Sequence, residues 1–479
     1  MGSLLSALQS AGNSLNVFEQ AMGVVQNNVA NASTAGYVTQ TLNLSASAFQ
    51  PGANLYGGVQ TDGIQSSRNQ FAEQAVWNQN EALGTATQQS SSLNALQSVF
   101  SISGASGIPS ALTGLYSAFS AWSTTPGSVT TQQQVLTAAG QVTQAFNAAA
   151  HSVSQLESQT NTQLQSTVSQ INQISSQIAQ INVQRQNGGA GDAGLDASLY
   201  NHLEQLSNLT SISVQSQSDG TVSVLMGGQT PLVTGSTANP LHVTFAPTAG
   251  ATNPSAPPDA QITTFSGQNV TNVVSQGSLA GLLQFRNTTL PSVIGNGAQQ
   301  GSLNQLAQSV ADRVNTLLTS GQSSAGPPAV AGAPLFSYTA SSATSVAQTL
   351  SLTSVTGSQL AAISPGPPTV ANGTADQLAQ LSTPQTAADK VNGMSYMDYY
   401  GSLASDIGSQ AASAAMAETS QTQLLTQAQN MRSQVSGVSL NDQAAKLLQF
   451  QQAYEASAHM VSVIDQTLSS FMTTMQQAP

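Results

Sequence analysis

The stretch Leu447-Leu448-Gln449-Phe450-Gln451-Gln452-Ala453-Tyr454-Glu455-Ala456-Ser457-Ala458-His459-Met460-Val461-Ser462-Val463-Ile464-Asp465-Gln466-Thr467-Leu468-Ser469-Ser470-Phe471 decides the fold. Leu447, Phe450, Tyr454, Ser457, Val461, Ile464, Leu468 and Phe471 follow one another at alternating steps of three and four, and only Ser457 is polar. That spacing is the a/d seam of a heptad repeat. The chain opens on the same alternation, at Leu4, Leu8, Ala11, Leu15, Phe18, Met22, Val25 and Val29. An amphipathic helix cannot bury its own stripe and is marginal alone. Two terminal helices with matching seams are therefore expected to pack on each other or on neighbouring copies of the chain. The alternative is that each docks on its own globular core.

Working inward, Asn27 to Tyr37 is rich in Asn, Ser, Ala and Gly and should end the first helix, with Gly36 able to take φ > 0. Extended chain is expected through Val38, Leu42 and Leu44 to a turn at Pro51-Gly52, then a short strand or hairpin over 57–66. Long helices are expected over 69–103 and 130–186, with a shorter one between them; Pro109 and Pro126-Gly127 punctuate this region. From 211 the pattern alternates. Ile212, Val214, Asp219-Gly220, Val222 and Val224 read as a hairpin with a tight turn, and β-prone runs follow at 232–233, 241–245 and 262–265. Helical pattern returns at 279–290, 303–318 and 396–433, around a Pro/Gly/Ser/Thr-rich stretch with a β-like portion over 335–360. Ser439 and Asn441 are both candidate N-caps for the last helix.

The expected fold class is mainly α with β inserts (α+β). Paired terminal coiled-coil helices occupy 1–50 and 438–479. An elongated helical bundle takes 51–210, 278–325 and 386–437, and β-rich inserts at 211–277 and 326–385 form an outer domain. A length of 479 residues suits about three domains.

Composition narrows the function. Only 5% of residues are charged, against roughly 25% in an average soluble protein. Seven basic residues against nineteen acidic ones give a net charge of −12, so neither phosphate backbones nor anionic membranes find clustered cations. With no Cys there is no disulfide framework and no thiol nucleophile. No apolar run reaches the ~18 residues of a membrane span, and no basic n-region precedes an apolar core at the N-terminus. His151, His202, His242 and His459 form no metal-ligand spacing, the carboxylates are scattered, and no P-loop or G-x-S-x-G motif occurs. Asn31-Ala32-Ser33 matches the glycosylation tripeptide, a pattern frequent by chance in an Asn/Ser-rich chain.

The segment Asn27-Asn28-Val29-Ala30-Asn31-Ala32-Ser33-Thr34-Ala35-Gly36-Tyr37 resembles the N-terminal signature of bacterial flagellar rod, hook and hook-associated proteins. Those proteins carry Asn-Asn-(Ile/Val)-Ala-Asn and then Thr-Pro-Gly-Tyr; here Ala35 replaces the Pro. Gln40 is similar to the continuation seen in the FlgK family of hook-associated proteins. The stretch from Gly437 to Ala458 resembles that family's C-terminal motif almost position by position, with Asp442 where an acidic pair is common and His459 just beyond it where Lys or Arg is common. Gly58-Val59-Gln60, Leu279 to Asn287 and Tyr399 to Leu403 are also similar to FlgK blocks, while the β-rich inserts resemble it weakly.

The resemblance implies a structural subunit at the junction of flagellar hook and filament, without enzymatic activity or cofactor. It implies export through the flagellum's own type III channel without a cleaved signal, to an extracellular location. Implied partners are further copies of the chain, the hook protein, the other hook–filament junction protein and an export chaperone on the C-terminal helix, with no nucleic acid and no membrane insertion. The expected assembly interface joins the seam residues Leu8, Leu15, Phe18, Met22, Val25, Val29, Leu447, Phe450, Tyr454, Val461, Ile464, Leu468 and Phe471 to the motif residues Asn27, Asn28, Asn31, Gly36 and Tyr37. The alternatives are another axial protein, of hook or distal rod, and a secreted adhesin or enzyme active through the β inserts.

Overall fold

The computed structural model describes residues 2–50, 55–100, 107–189, 191–249, 258–296, 298–326, 328–339 and 345–476. The expected turn at Pro51-Gly52 lies outside them. The heptad-bearing ends form the helices α1 (Gly2–Ala30) and, as the last helix, α9 (Leu440–Gln476). Between them lie α2 (Gln70–Val99), α3 (Ile108–Thr124), α4 (Val129–Gln184), α5 (Ala193–Leu209), α6 (Ser278–Gln284), α7 (Ser302–Ser320) and α8 (Tyr396–Ser436). Small antiparallel sheets fill the intervals, so the chain is mainly α with β inserts. Its residues divide into two compact units: Met1–Glu81, Asn172–Asn239 and Thr422–Pro479 in the first, Ala82–Ile171 and Pro240–Gln421 in the second.

In the first unit α1 packs on α9. On α9 the expected seam is half-buried from Leu447 through Leu468, while Phe471 is 44% exposed. Helix length explains the difference. At 1.5 Å per residue, α1 spans about 44 Å and α9 about 56 Å. The two are tied together at Asn28 and Gln443, so α9 runs about two turns past the start of α1. Phe471, Met472 and Met475 sit on that overhang. On α1 the buried line is Ala11, Val17, Ala21, Val25 and Asn28. Leu4, Leu8, Leu15, Phe18 and Met22 are half-buried, and Val29 is exposed. The buried strip is displaced from the expected seam because α1 also packs on a β-ribbon, β1 (Gln40–Ala46) paired antiparallel with β2 (Val59–Ser66).

The first unit also holds a four-stranded antiparallel sheet: β3 (Ile212–Ser216), β4 (Val222–Met226), β5 (Thr230–Thr234) and β6 (Thr237–Ala238), in that order. The β3–β4 connection spans residues 217–221, closed by the Gln217 N–H on the Thr221 carbonyl, with Gly220 at φ 83°. Asn182 of α4, fully buried, fixes the sheet by bonding both the N–H and the carbonyl of Val222.

The second unit is built around Leu112, Leu115, Phe119 and Trp122 of α3 and Phe146 of α4, all completely buried. Its strands β7 (Leu241–Ala246) and β8 (Asp259–Thr264) form a hairpin. After α6 the helix widens into a π-turn, Phe285–Thr289, which presents Arg286 and Asn287 to that hairpin. Residues 335–360 are expected to be β-like; among the described residues they hold two-residue strands, the short helix Val346–Thr349 and a 3-10 turn at Gly357–Gln359. Asn147 explains this locally, since its side-chain amide reaches the carbonyls of Ala347, Gln348 and Leu350 and so holds this segment through α4 instead of a ladder.

Candidate assembly interface

The Asn-rich motif closes a knot of hydrogen bonds at the base of the α1–α9 pair. Asn28 projects from the last turn of α1 and is 1% exposed. Its amide nitrogen donates to the Gln40 carbonyl (2.8 Å) and to Gln443 Oε1 (2.9 Å). Its Oδ1 accepts from the Tyr37 hydroxyl and from the Gln40 N–H, both at 2.9 Å. One side chain thus fills its bonding capacity on the helix end, the turn, the ribbon and α9. Burial raises the Tyr37 phenol above its ordinary pKa, so it stays a neutral donor. Asn27 is exposed and Asn31 half-buried, and the two bond each other (2.6 Å).

Three chain crossings meet beside this knot. The Thr39 N–H donates to the Ser436 carbonyl, and the Ser67 N–H to the Thr39 carbonyl. Ser67 and Ser436 exchange hydroxyl-to-carbonyl bonds. Ser439 caps α9 through the Asp442 N–H, whereas Asn441 lies inside the helix. Gly36 has φ 76°, and a Cβ there would lie 2.3 Å from the Ala197 carbonyl oxygen of α5. Only glycine allows this turn to rest against α5.

Beneath the crossings lies an ionic cluster. Arg68 is bound by Glu73 (2.5 Å) and Asp196 (2.8 Å), donates to the Gly36 carbonyl (2.7 Å) and lies 3.6 Å over the Tyr200 ring. Tyr200 in turn stacks on Trp77. Arg185 joins Asp196, and Arg432 bridges Glu73 and Glu204. Burial opposes the Arg432 charge, but Glu204 and Glu73 outweigh it and hold the guanidinium above its ordinary pKa. The side chains of Arg68 and Glu73 are 6% and 1% exposed, a burial that only close pairing and satisfied donors sustain. Glu81, one turn beyond Trp77 on α2, is pushed up to about 7 by burial, while the Ile212 N–H it accepts pulls the other way.

Asn28, Gly36 and Tyr37 stand out in the sequence as motif residues, whereas Gln443, Ser436, Arg68 and Arg432 do not. The one available signal was rarity, because Arg68 and Arg432 are two of only seven basic residues. Of the histidines, His151, His242 and His459 are exposed, and His202 is half-buried with its pKa lowered by burial. No group of three His, Cys, Asp or Glu that could hold a metal occurs among the described residues. Among them, no helix is long and apolar enough to cross a membrane.

Residues 93–336, just over half of the chain, match the family model described as the flagellar hook-associated protein FlgK helical domain. The chain belongs to the FlgK family. Residues 429–475, which hold α9 and its seam, match a second model, the flagellar basal body rod FlgEFG protein C-terminal. Flagellar hook-associated protein 1 of Bacillus subtilis is 25% identical over 99% of both chains. Its Salmonella typhimurium counterpart is 29% identical over 67% of this chain and 58% of its own length. The solved hook junction protein FlgK from Burkholderia pseudomallei superposes with a TM-score of 0.62 at 17% identity. It covers 74% of this chain and 99% of its own, which speaks to the fold. As a FlgK-family member the chain is a structural, hook-associated protein of the bacterial flagellum.

Proposed function

We propose that the chain joins hook to filament by helical self-assembly, with the α1–α9 pair as the assembling element and without catalysis. The observation that carries this reading is the apolar surface α9 leaves open. Leu448, Met460 and Val463 are 58%, 59% and 61% exposed on a helix whose seam is already committed to α1. A soluble chain gains by covering such a stripe with another subunit. The clasp at Asn28 ties the end of α1 to the start of α9, so the pair can act as one element in a repeating lattice. Its neighbours in this reading are further copies, the hook protein and the other junction protein. Before assembly an export chaperone covers α9, and the chain leaves the cell through the flagellar type III channel without a cleaved signal.

A deletion strain tests this. Hooks without filaments, with flagellin released into the medium, are expected, and the intact chain should restore filaments. Normal filaments on the deletion strain would overturn the reading.

A further inference from the structure

The α9 seam does not stop at Phe471. Ile464, Leu468, Phe471 and Met475 keep the alternation of four and three. Met475 therefore holds the next seam position, on the stretch where α1 no longer runs alongside. It is 57% exposed, and Met472, one turn before it, is 47% exposed. On the open stripe of the same helix, Met460 is 59% exposed beside Val463. Methionine thus supplies the apolar surface of α9 at three places where the chain offers it little cover. Elsewhere Met226 of β4 is completely buried, and Met22, Met394 and Met397 are half-buried. Among the described residues the other exposed methionines are Met416 and Met431, both on α8.

The thioether is the only form of sulfur in the chain, because there is no Cys. Hydrogen peroxide therefore finds no thiol to consume it first. The sulfur lone pair attacks one peroxide oxygen, the O–O bond breaks and an S–O bond forms. The displaced hydroxide takes up the proton of the transferred oxygen and leaves as water. Sulfur is oxidised by two electrons, the peroxide is reduced by two, and the product is methionine sulfoxide. A flexible apolar side chain becomes a polar one with an acceptor oxygen. Such an oxygen is well served by water and costly to bury without a donor.

We propose that Met460, Met472 and Met475 form an oxidation site, and that hydrogen peroxide acting there before assembly bars the chain from joining its copies. In the lone chain the three new oxygens stay hydrated, so the fold is undisturbed. Against another copy each has to shed that water, in a surface whose apolar members Leu448, Val463 and Phe471 carry no side-chain donor. The penalty recurs in every subunit. Once assembled, the same contact shields the sulfurs, so the sensitivity belongs to the free chain. Methionine sulfoxide reductases reverse the step. The inference rests on the self-assembly proposed above.

Peptide mass spectrometry after mild hydrogen peroxide treatment tests the site. In the purified chain, sulfoxide should appear at Met416, Met460, Met472 and Met475 and spare the buried Met226, with the melting temperature unchanged. In isolated flagella, oxidation of Met460, Met472 and Met475 should be several-fold slower, while Met416, outside the α1–α9 pair, oxidises as before. Glutamine imitates the polarity of the sulfoxide, and leucine the apolar thioether. In a deletion strain, the ratio of chain in flagella to chain in the medium should fall several-fold for the triple variant Met460→Gln, Met472→Gln, Met475→Gln. It should stay at the parental value when the same three become leucine, and for Met416→Gln. A parental ratio for the glutamine triple, or equal oxidation of the α9 methionines in free chain and flagella, overturns the oxidation site while the chain's presence in flagella leaves self-assembly standing. A glutamine triple absent from flagella and medium alike also overturns it, since the block would then precede assembly. A parent chain missing from flagella overturns the proposed function and this inference with it.

Discussion

Replacing Asn28 by alanine removes four hydrogen bonds at once, in a site 1% exposed. The Gln40 N–H and carbonyl, Gln443 Oε1 and the Tyr37 hydroxyl all lose a partner. Each bond is worth a net ~1 kcal/mol, and stranding buried groups adds to that, so about 3–5 kcal/mol is expected for the set. The loss falls on the α1 end, the ribbon and the start of α9. Hydrogen exchange followed by mass spectrometry should show amides near Gln40 and Gln443 losing about two to three decades of protection, each decade being ~1.4 kcal/mol. Asn31→Ala is the matched control, three residues away in the same motif, half-buried and bonded only to its neighbours Asn27 and Thr34 among the described residues. It should cost under about 0.5 kcal/mol. Equal loss of protection in the two variants would refute the assignment of Asn28 as the hub.

Gly36→Ala should unfold the same region locally, because the added methyl meets the Ala197 carbonyl at a φ that alanine avoids; a susceptibility to proteolysis near residue 36 equal to that of the parent chain would contradict this. Glu81 ionises near 4.5 in an unfolded chain and about 7 when folded. The folded state therefore binds the extra proton between those values, and stability should fall as pH rises through that window, by at most about 3 kcal/mol. Urea titrations at pH 5 and pH 8 check the sign, and Glu81→Gln should flatten the difference. Leu468→Asp should place an acid in the half-buried seam at a cost of about 1–3 kcal/mol per subunit and abolish filaments, while Gln466→Asp, off the seam, leaves motility intact. Equal motility of the two strains would remove the seam from the assembly.

The α9 seam was legible because periodicity is local: residues three and four apart share a face whatever they pack on. Phe471 departs from it because exposure there depends on where a second helix begins, more than 400 residues earlier in the chain. The offset on α1 has a similar origin, since the ribbon behind it competes for the same helix. The motif residues were recognisable by their resemblance to other axial proteins, yet their partners were not. Asn28 and Gln443 are 415 positions apart, and Thr39 and Gly437 are 398 apart. No spacing rule reaches that far. The Asp219-Gly220 turn was legible from its residue types, down to the glycine at positive φ.

The ion pairs also set how the molecule behaves toward its medium. All five arginines are bound to acids: Arg68, Arg185 and Arg432 in the cluster, Arg286 to Glu157, and Arg313 to Asp389. With five acids matched to them, fourteen acids and two lysines carry the whole net charge of −12. Spread over 22938 Å² of surface, that is a faint, single-signed field. Dissolved salt screens exposed charges over ~8–10 Å and leaves buried pairs nearly untouched. Subunit contacts through the exposed Leu448, Met460 and Val463 of α9, as proposed above, would give ions little to screen, and the residual repulsion between copies only weakens as salt is added. The assembled structure should hold with nearly the same strength from dilute to saline surroundings.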